Sequence, residues 1–184
     1  INCHVFFIRG NHDDPSYFDG NMINFKHITA IPDYSVIQIR DYDILCVGGA
    51  ISLDRSARIA EMNKSSEIYR HENPTYWENE KVVYDEDKLN ELKNAGLNIT
   101  AIISHTAPSF FPIQNDAQNG MSGWFIRDKE LRKDTNEERM NMDKLFKYSK
   151  NNFNLKKWVY GHFHDIYTGE YEGVKYKMMN LITG

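Results

Sequence analysis

The sequence has little cysteine: Cys3 and Cys46 are the only two among its 184 residues. Each lies in an apolar, strand-like run, so we expect both to be reduced core residues, with a Cys3–Cys46 disulfide as the alternative. No stretch of about 18 or more apolar residues is present, which excludes a hydrophobic membrane span. No signal peptide is visible either. These absences together favour a cytoplasmic protein.

An excess of positive charge is also missing, since the formal net charge is −4. The chain therefore has no general attraction to nucleic acid or to anionic lipid. No basic stripe with interleaved aromatic residues is visible, which argues further against long nucleic acid as a partner. The remaining composition, 41% hydrophobic and 26% charged, is ordinary for a globular protein and sufficient for one domain with a real core.

The most informative stretch is residues 5–13, an apolar run that ends in three polar residues. The run predicts a buried strand, and Gly10 lets the backbone turn at the strand's end. This turn would place Asn11, His12 and Asp13 on the rim of a sheet, where ligands of α/β proteins collect. An amide oxygen, an imidazole and a carboxylate suit metal and phosphate chemistry. The alternative is an ordinary polar turn after a strand.

Two later stretches repeat this pattern of an apolar strand followed by histidine. Residues 101–104 lead to His105, and residues 158–160 lead through a glycine to His162 and His164. His162 and His164 are two positions apart, so extended backbone would direct both side chains to the same side. Because parallel strands bring their carboxyl ends together, we expect these histidines to converge.

The rest of the pattern predicts a mixed α/β domain. Polar turns separate alternating apolar runs in two hairpins, and two amphipathic segments predict helices. The predicted elements are strands 36–39 and 44–48, helix 85–95, strand 98–104, helix 127–149 with a possible break near 134–136, strand 155–160, and strands 166–171 and 174–181.

Two regions offer further candidates for the site. Arg55 and Arg58 could bind a phosphate group, because guanidinium forks match its oxygens, or they could form surface ion pairs. Residues 109–126, which begin shortly after His105, contain several aromatic residues and two glycines. This segment is either a lid that contacts substrate or a hydrophobic flap packed on the next helix. The loops at 50–84 and 106–126 would determine specificity.

Gly10-Asn11-His12-Asp13, the lone His105 and Gly161-His162-Phe163-His164 follow one another in a familiar order. This series resembles the later half of the calcineurin-like metallophosphoesterase signature, over residues 5–165. The resemblance implies an α/β fold of two facing mixed β-sheets flanked by helices, with metals at the carboxyl ends of the strands. The two earlier blocks of that signature, Asp-x-His and Gly-Asp, are absent. We therefore expect residues 1–184 to be a single domain of this kind that lacks its N-terminal part.

The resemblance also implies a role for each matching residue. Asn11, His105 and His162 would bind the second of two divalent metal ions, and His164 would bind the first. Manganese, iron or zinc would suit these donors, whereas calcium prefers oxygen alone. Because only His164 remains for the first ion, we expect the chain by itself to bind metal weakly and to turn over little substrate.

The remaining motif residues would form the catalytic machinery. His12 would stabilise the phosphate and protonate the leaving oxygen, and Asp13 would hold a neighbouring donor in place. The implied activity is hydrolysis of a phosphomonoester or phosphodiester by a water that two metals activate, acting on a phosphorylated small molecule or a phosphoprotein. The alternatives are a nuclease or cyclic-nucleotide diesterase of the same family, or a non-catalytic binding scaffold that keeps the fold.

Overall fold

The fold is built around two mixed β-sheets. The structure is a computed structural model, and it describes residues 3–64, 74–113 and 123–180. The smaller sheet has strand order β1-β3-β2, with β1 parallel to β3 and β2 antiparallel to it. Its strands are β1 Val5–Phe7, β2 Asn24–Phe25 and β3 Ile28–Ala30.

The larger sheet has six strands in the order β4-β5-β6-β7-β9-β8. Its centre is parallel from β5 through β6 and β7 to β9, and an antiparallel strand closes each side. The carboxyl ends of β5, β6 and β7 therefore lie at one edge. The strands are β4 Ser35–Ile39, β5 Tyr42–Val47, β6 Ile99–Ser104, β7 Lys157–Tyr160, β8 Tyr167–Tyr171 and β9 Val174–Met178.

Both predicted hairpins are confirmed, and the β4–β5 hairpin turns more tightly than the sequence pattern suggested. The β4–β5 connection is reduced to two residues, and Arg40 takes a positive φ of 52° there. In the β8–β9 turn, Glu172 and Gly173 have φ values of 47° and 78°. Two consecutive positive φ values match the twist of antiparallel strands in a two-residue turn.

The described α-helices are α1 Arg55–Lys64, α2 Glu86–Asn94 and α3 Leu131–Asn152. A 3-10 turn at Pro15–Tyr17 lies before α1, and a short helical segment at 123–127 lies just before α3. The cap predicted for α2 is confirmed, since the Asp85 side chain accepts a hydrogen bond from the Lys88 amide. Helix α3 begins later than predicted because Asp128 accepts from the Leu131 amide at 3.2 Å. It is unbroken at 134–136, where Thr135 Oγ1 donates to the Leu131 carbonyl.

Strand β1 differs from the prediction of a buried strand. Val5 and Phe6 are 47% and 44% exposed. The reason is that β1 pairs with β3 on one side, and among the described residues no strand pairs with its other edge. Cys3 is likewise exposed rather than in the core, whereas Cys46 is buried, and both are free thiols.

The segment that follows β6 is fixed to α3 over its first residues. Arg139 Nη2 donates to the Pro108 and Phe111 carbonyls at 2.6 Å each, and Asp143 accepts from the Ser109 amide at 2.6 Å. Phe111 is 1% exposed. These contacts favour the flap interpretation for residues 109–111, whereas positions 114–122 of the predicted lid lie outside the described residues.

The described helices include none that is both long enough and apolar enough to span a bilayer. The core instead lies between the larger sheet and the helices, and it is rich in aromatic residues. Phe146 packs between Phe111 and Trp158, with ring centroids 5.9 Å from each. This packing holds α3 against the strands whose ends carry the site.

Candidate metal centre

Backbone hydrogen bonds join the ends of four strands at one edge of the molecule. The Gly49 amide donates to the Arg9 carbonyl, the His105 amide to Val47, and the Gly161 amide to His105. These bonds connect the segment after β1 to the one after β5, the end of β5 to the segment after β6, and the segment after β6 to the one after β7. The strand-end residues that the sequence pattern singled out are therefore brought to one place, although they come from both sheets.

Asn11 and His105 are in direct contact at this edge. Asn11 Oδ1 lies 3.0 Å from His105 Nε2, and the two residues are 94 positions apart in the chain. Gly10 is needed here for space, because a Cβ on it would lie 3.1 Å from His105 Cε1. The glycine does not adopt a positive φ, so its small size matters rather than the turn that the sequence suggested.

The Asn11 side chain is oriented by a buried network behind it. Its Nδ2 donates to Ser52 Oγ at 3.0 Å, which directs Oδ1 toward His105. Glu80 in turn accepts from the Ser52 amide at 2.6 Å and lies 2.8 Å from its hydroxyl. Ser52 and Glu80 are 0% and 2% exposed. The network therefore fixes the position of an amide oxygen that can act as a metal ligand.

His162 joins this pair through its imidazole ring. The ring centroids of His105 and His162 are 5.1 Å apart. Burial lowers the pKa of His105 to about 4 and holds the pKa of His162 well below its ordinary value. Both rings are therefore neutral at pH 7, which is the form that binds a metal ion.

The argument that placed His162 and His164 on one side was wrong in its premise of extended backbone. Both residues have positive φ values, 68° and 55°. The Phe163 amide donates back to the Gly161 carbonyl, so the segment turns after β7. His164 is exposed, in contrast to the buried imidazoles of His105 and His162. The convergence that the ring and hydrogen-bond distances establish is therefore that of Asn11, His105 and His162.

A comparison with protein families gives a match over most of the chain. The sequence matches the family described as calcineurin-like phosphoesterase over residues 1–165. The chain belongs to this family. A search of curated proteins found no match. Family membership indicates a metal-dependent phosphoesterase and confirms the family and the two-sheet α/β fold expected from the sequence.

Calcineurin-like phosphoesterases bind divalent metals, and the donors here fit one such ion in part. Asn11, His105 and His162 offer an amide oxygen and two neutral imidazoles, which suit manganese, iron or zinc. Among residues 3–64, 74–113 and 123–180, no group of three His, Cys, Asp or Glu side chains is placed to hold a metal. The set that the structure assembles thus depends on the asparagine and contains no carboxylate.

His12 and Asp13, the predicted catalytic residues, flank this donor set. Arg58 Nη2 lies 2.6 Å from His12 Nδ1 and also contacts Nε2. Burial and the Arg58 charge both lower the pKa of His12. Asp13 Oδ2 accepts from the Gly10 amide at 2.6 Å, so it fixes the loop that carries Asn11.

The two arginines predicted to bind substrate have different surroundings. Arg58 stands against His12 and is anchored by Asp54 and the Thr75 carbonyl. Arg55 is held by two carboxylates, with nitrogen–oxygen distances of 2.6 Å to both Asp128 and Asp134. The contacts of Arg55 favour the ion-pair alternative. Phosphate binding by either residue stays a prediction.

Sequence reasoning missed the residue that holds the two sheets together at the site. Arg9 is 6% exposed, pairs with Asp33 at 2.8 Å, and donates to the Glu80 carbonyl at 2.6 Å. It passes so close to Gly48 and Gly49 that a Cβ on either would lie within 2.7 Å of its side chain. The Gly48-Gly49 pair after a strand was the available signal, since two small residues often mark a close approach.

Proposed function

We propose that this protein hydrolyses a phosphomonoester or phosphodiester with one or two divalent metal ions, manganese, iron or zinc. The observation that carries the proposal is the contact between Asn11 and His105 with His162 beside it, built from three separate strand ends. Bound there, the metal would supply Lewis-acid stabilisation of the phosphate and a water that is nucleophilic at neutral pH.

The chain's own residues prepare this site in three ways. The Ser52–Glu80 network holds the Asn11 oxygen in place, so no reorganisation is needed when a ligand binds. Burial keeps His105 and His162 unprotonated and available as donors. His164 would serve the other ion of a two-metal site, for which it is the only donor assigned among the described residues.

His12 would handle the proton of the leaving group. Burial and the neighbouring Arg58 charge lower the pKa of His12 and so favour its neutral ring, whose Nδ1 lies 2.6 Å from the guanidinium. A phosphate dianion bound next to both side chains would raise the pKa of His12 and let it take up a proton. Arg58 would then pair with the phosphate, and His12 would deliver its proton to the departing oxygen.

The test measures hydrolysis of 4-nitrophenyl phosphate and bis(4-nitrophenyl) phosphate with added Mn²⁺ or Zn²⁺, together with metal content. We expect His105→Ala and His162→Ala to reduce kcat/KM about 100-fold or more, since even side chains that only orient metal ligands cost about 10–100-fold when removed. The matched control is His27→Ala, which removes an exposed imidazole from the β2–β3 turn. Activity that persists in both site variants, or falls equally in the control, would contradict the proposal.

The second candidate is a binding domain that keeps the fold without catalysis. It is favoured by one observation, the absence of a carboxylate from the donor set that the described residues assemble. The same experiment separates the two functions. A binding domain would retain little metal and show no hydrolysis that depends on His105 or His162.

A further inference from the structure

A cavity of about 290 Å³ opens beside the candidate metal centre. His162 lines it, so one side chain faces both the metal donors and this space. Ile51, Leu53 and Phe163 form apolar wall, and α3 contributes the polar side, including Arg132 and Asn136. A substrate whose phosphate lies at His162 would extend its organic part into this cavity.

Two arginines line the cavity, and neither forms a close ion pair with a carboxylate among the described residues. Arg132 and Arg139 both line it, and in the part of the chain that the structure describes neither has a carboxylate oxygen within 4.0 Å. Arg139 is engaged by backbone carbonyls, among them Pro108 and Phe111. Arg132 is exposed and stacks over the Phe125 ring at 4.7 Å, so its guanidinium edge can pair with an anion.

Glu138 lines the same cavity but offsets little of this charge. It is 5% exposed, and burial raises the pKa of its carboxyl to about 7. Its Oε1 accepts from the Val82 amide, and among the described residues it forms no ion pair with Arg132 or Arg139 within 4.0 Å. At neutral pH it is therefore partly protonated, and the cavity keeps a net positive character.

We propose that this cavity selects small phosphoesters whose organic part carries a second anionic group, which pairs with Arg132. The inference rests on the proposed function, because it assumes that the phosphate lies at the metal centre. A volume of about 290 Å³ admits one sugar or aromatic ring and is at the small end of ligand sites. Its size favours a metabolite over a phosphoprotein as the substrate.

The test uses two ligands that differ only in the second anion: phenylphosphonate and 4-carboxyphenylphosphonate, neither of which can be hydrolysed. Binding is measured by calorimetry, with and without Mn²⁺. We expect the carboxylated ligand to bind about fivefold more tightly, the size of one partly exposed ion pair. Arg132→Gln should remove that preference while leaving phenylphosphonate binding unchanged.

The matched control is Lys133→Gln, which removes one exposed positive charge from the neighbouring position of α3. It should keep the preference for the carboxylated ligand. Equal binding of the two ligands to the unmodified protein would overturn the inference, and so would equal effects of the two substitutions. The two failures can be told apart: loss of the proposed function abolishes hydrolysis and Mn²⁺-dependent binding of both ligands, whereas failure of this inference alone leaves both intact and removes only the preference for the carboxylated ligand.

Discussion

Replacing Glu138 by glutamine should remove a pH-dependent destabilisation of the fold. Burial raises the pKa of this carboxyl from 4.5 to about 7, with the Ile51 and Val82 amides and Arg9 acting to lower it and Glu80 to raise it. A folded-state pKa above the unfolded value means that folding favours the protonated form. The contribution of the protonated Glu138 carboxyl to the free energy of unfolding is fully present below pH 4.5 and is lost as the pH rises through 7.

The expected magnitude follows from these two pKa values. Between pH 5 and pH 8, ionisation of Glu138 should lower the free energy of unfolding by about 2–3 kcal/mol. Glutamine keeps an oxygen that can accept from the Val82 amide but does not ionise, so Glu138→Gln should lack this loss. The variant should therefore be more stable than the unmodified protein at pH 8 and similar to it at pH 5.

The assay is urea unfolding at pH 5, 6, 7 and 8, followed by fluorescence of the tryptophans, of which Trp158 is fully buried. Other titrating groups contribute equally to all proteins and cancel in the comparison. The control is Glu137→Gln, whose side chain is 62% exposed and pairs only weakly with Lys133 at 4.0 Å. Parallel pH profiles for the unmodified protein and Glu138→Gln would refute the reasoning.

Two further predictions concern the support of the site. Ser52→Ala should weaken Mn²⁺ binding about tenfold, because the Asn11 amide loses the partner that orients it. The control Ser56→Ala, on α1, should leave Mn²⁺ binding unchanged. Equal Mn²⁺ affinities of the two variants by calorimetry would contradict this prediction. Gly49→Ala should lower the free energy of unfolding by about 3 kcal/mol, because the backbone there has a φ of 85° and the new Cβ would lie 2.5 Å from the Glu80 carbonyl oxygen. Gly173→Ala, with φ 78° and open space, should cost only about 1 kcal/mol, and similar urea midpoints for the two would contradict the steric argument.

Much of the fold could be predicted because its signals are local. The Asp85 cap acts on the Lys88 amide three residues away, and the Glu172-Gly173 turn contains both residues that need a positive φ. Patterns of this kind depend on neighbours in the chain and survive without knowledge of the tertiary structure. The failure at His162 and His164 has the same origin, since the alternation rule assumes extended backbone that the segment does not adopt.

The supporting residues could not be predicted because their partners are distant in sequence. Arg9 meets the Glu80 carbonyl 71 positions away, and Arg55 meets Asp128 73 positions away. A buried glutamate and an exposed one look the same in the sequence, as Glu138 and Glu137 show. The motif indicated the candidate donors, but only the three-dimensional arrangement shows which residues hold Asn11 and His105 in position.

The distance along the chain between Asn11 and His105 has a consequence for how this protein would acquire its ion. The two donors are 94 positions apart in the chain and meet only when the protein folds, so no short peptide from either region contains the pair. An unfolded chain should bind the cation poorly, so the cation should bind to the folded protein and stabilise it. Loading with metal should consequently slow unfolding and protect the carboxyl ends of the strands from proteases, even when no substrate is present.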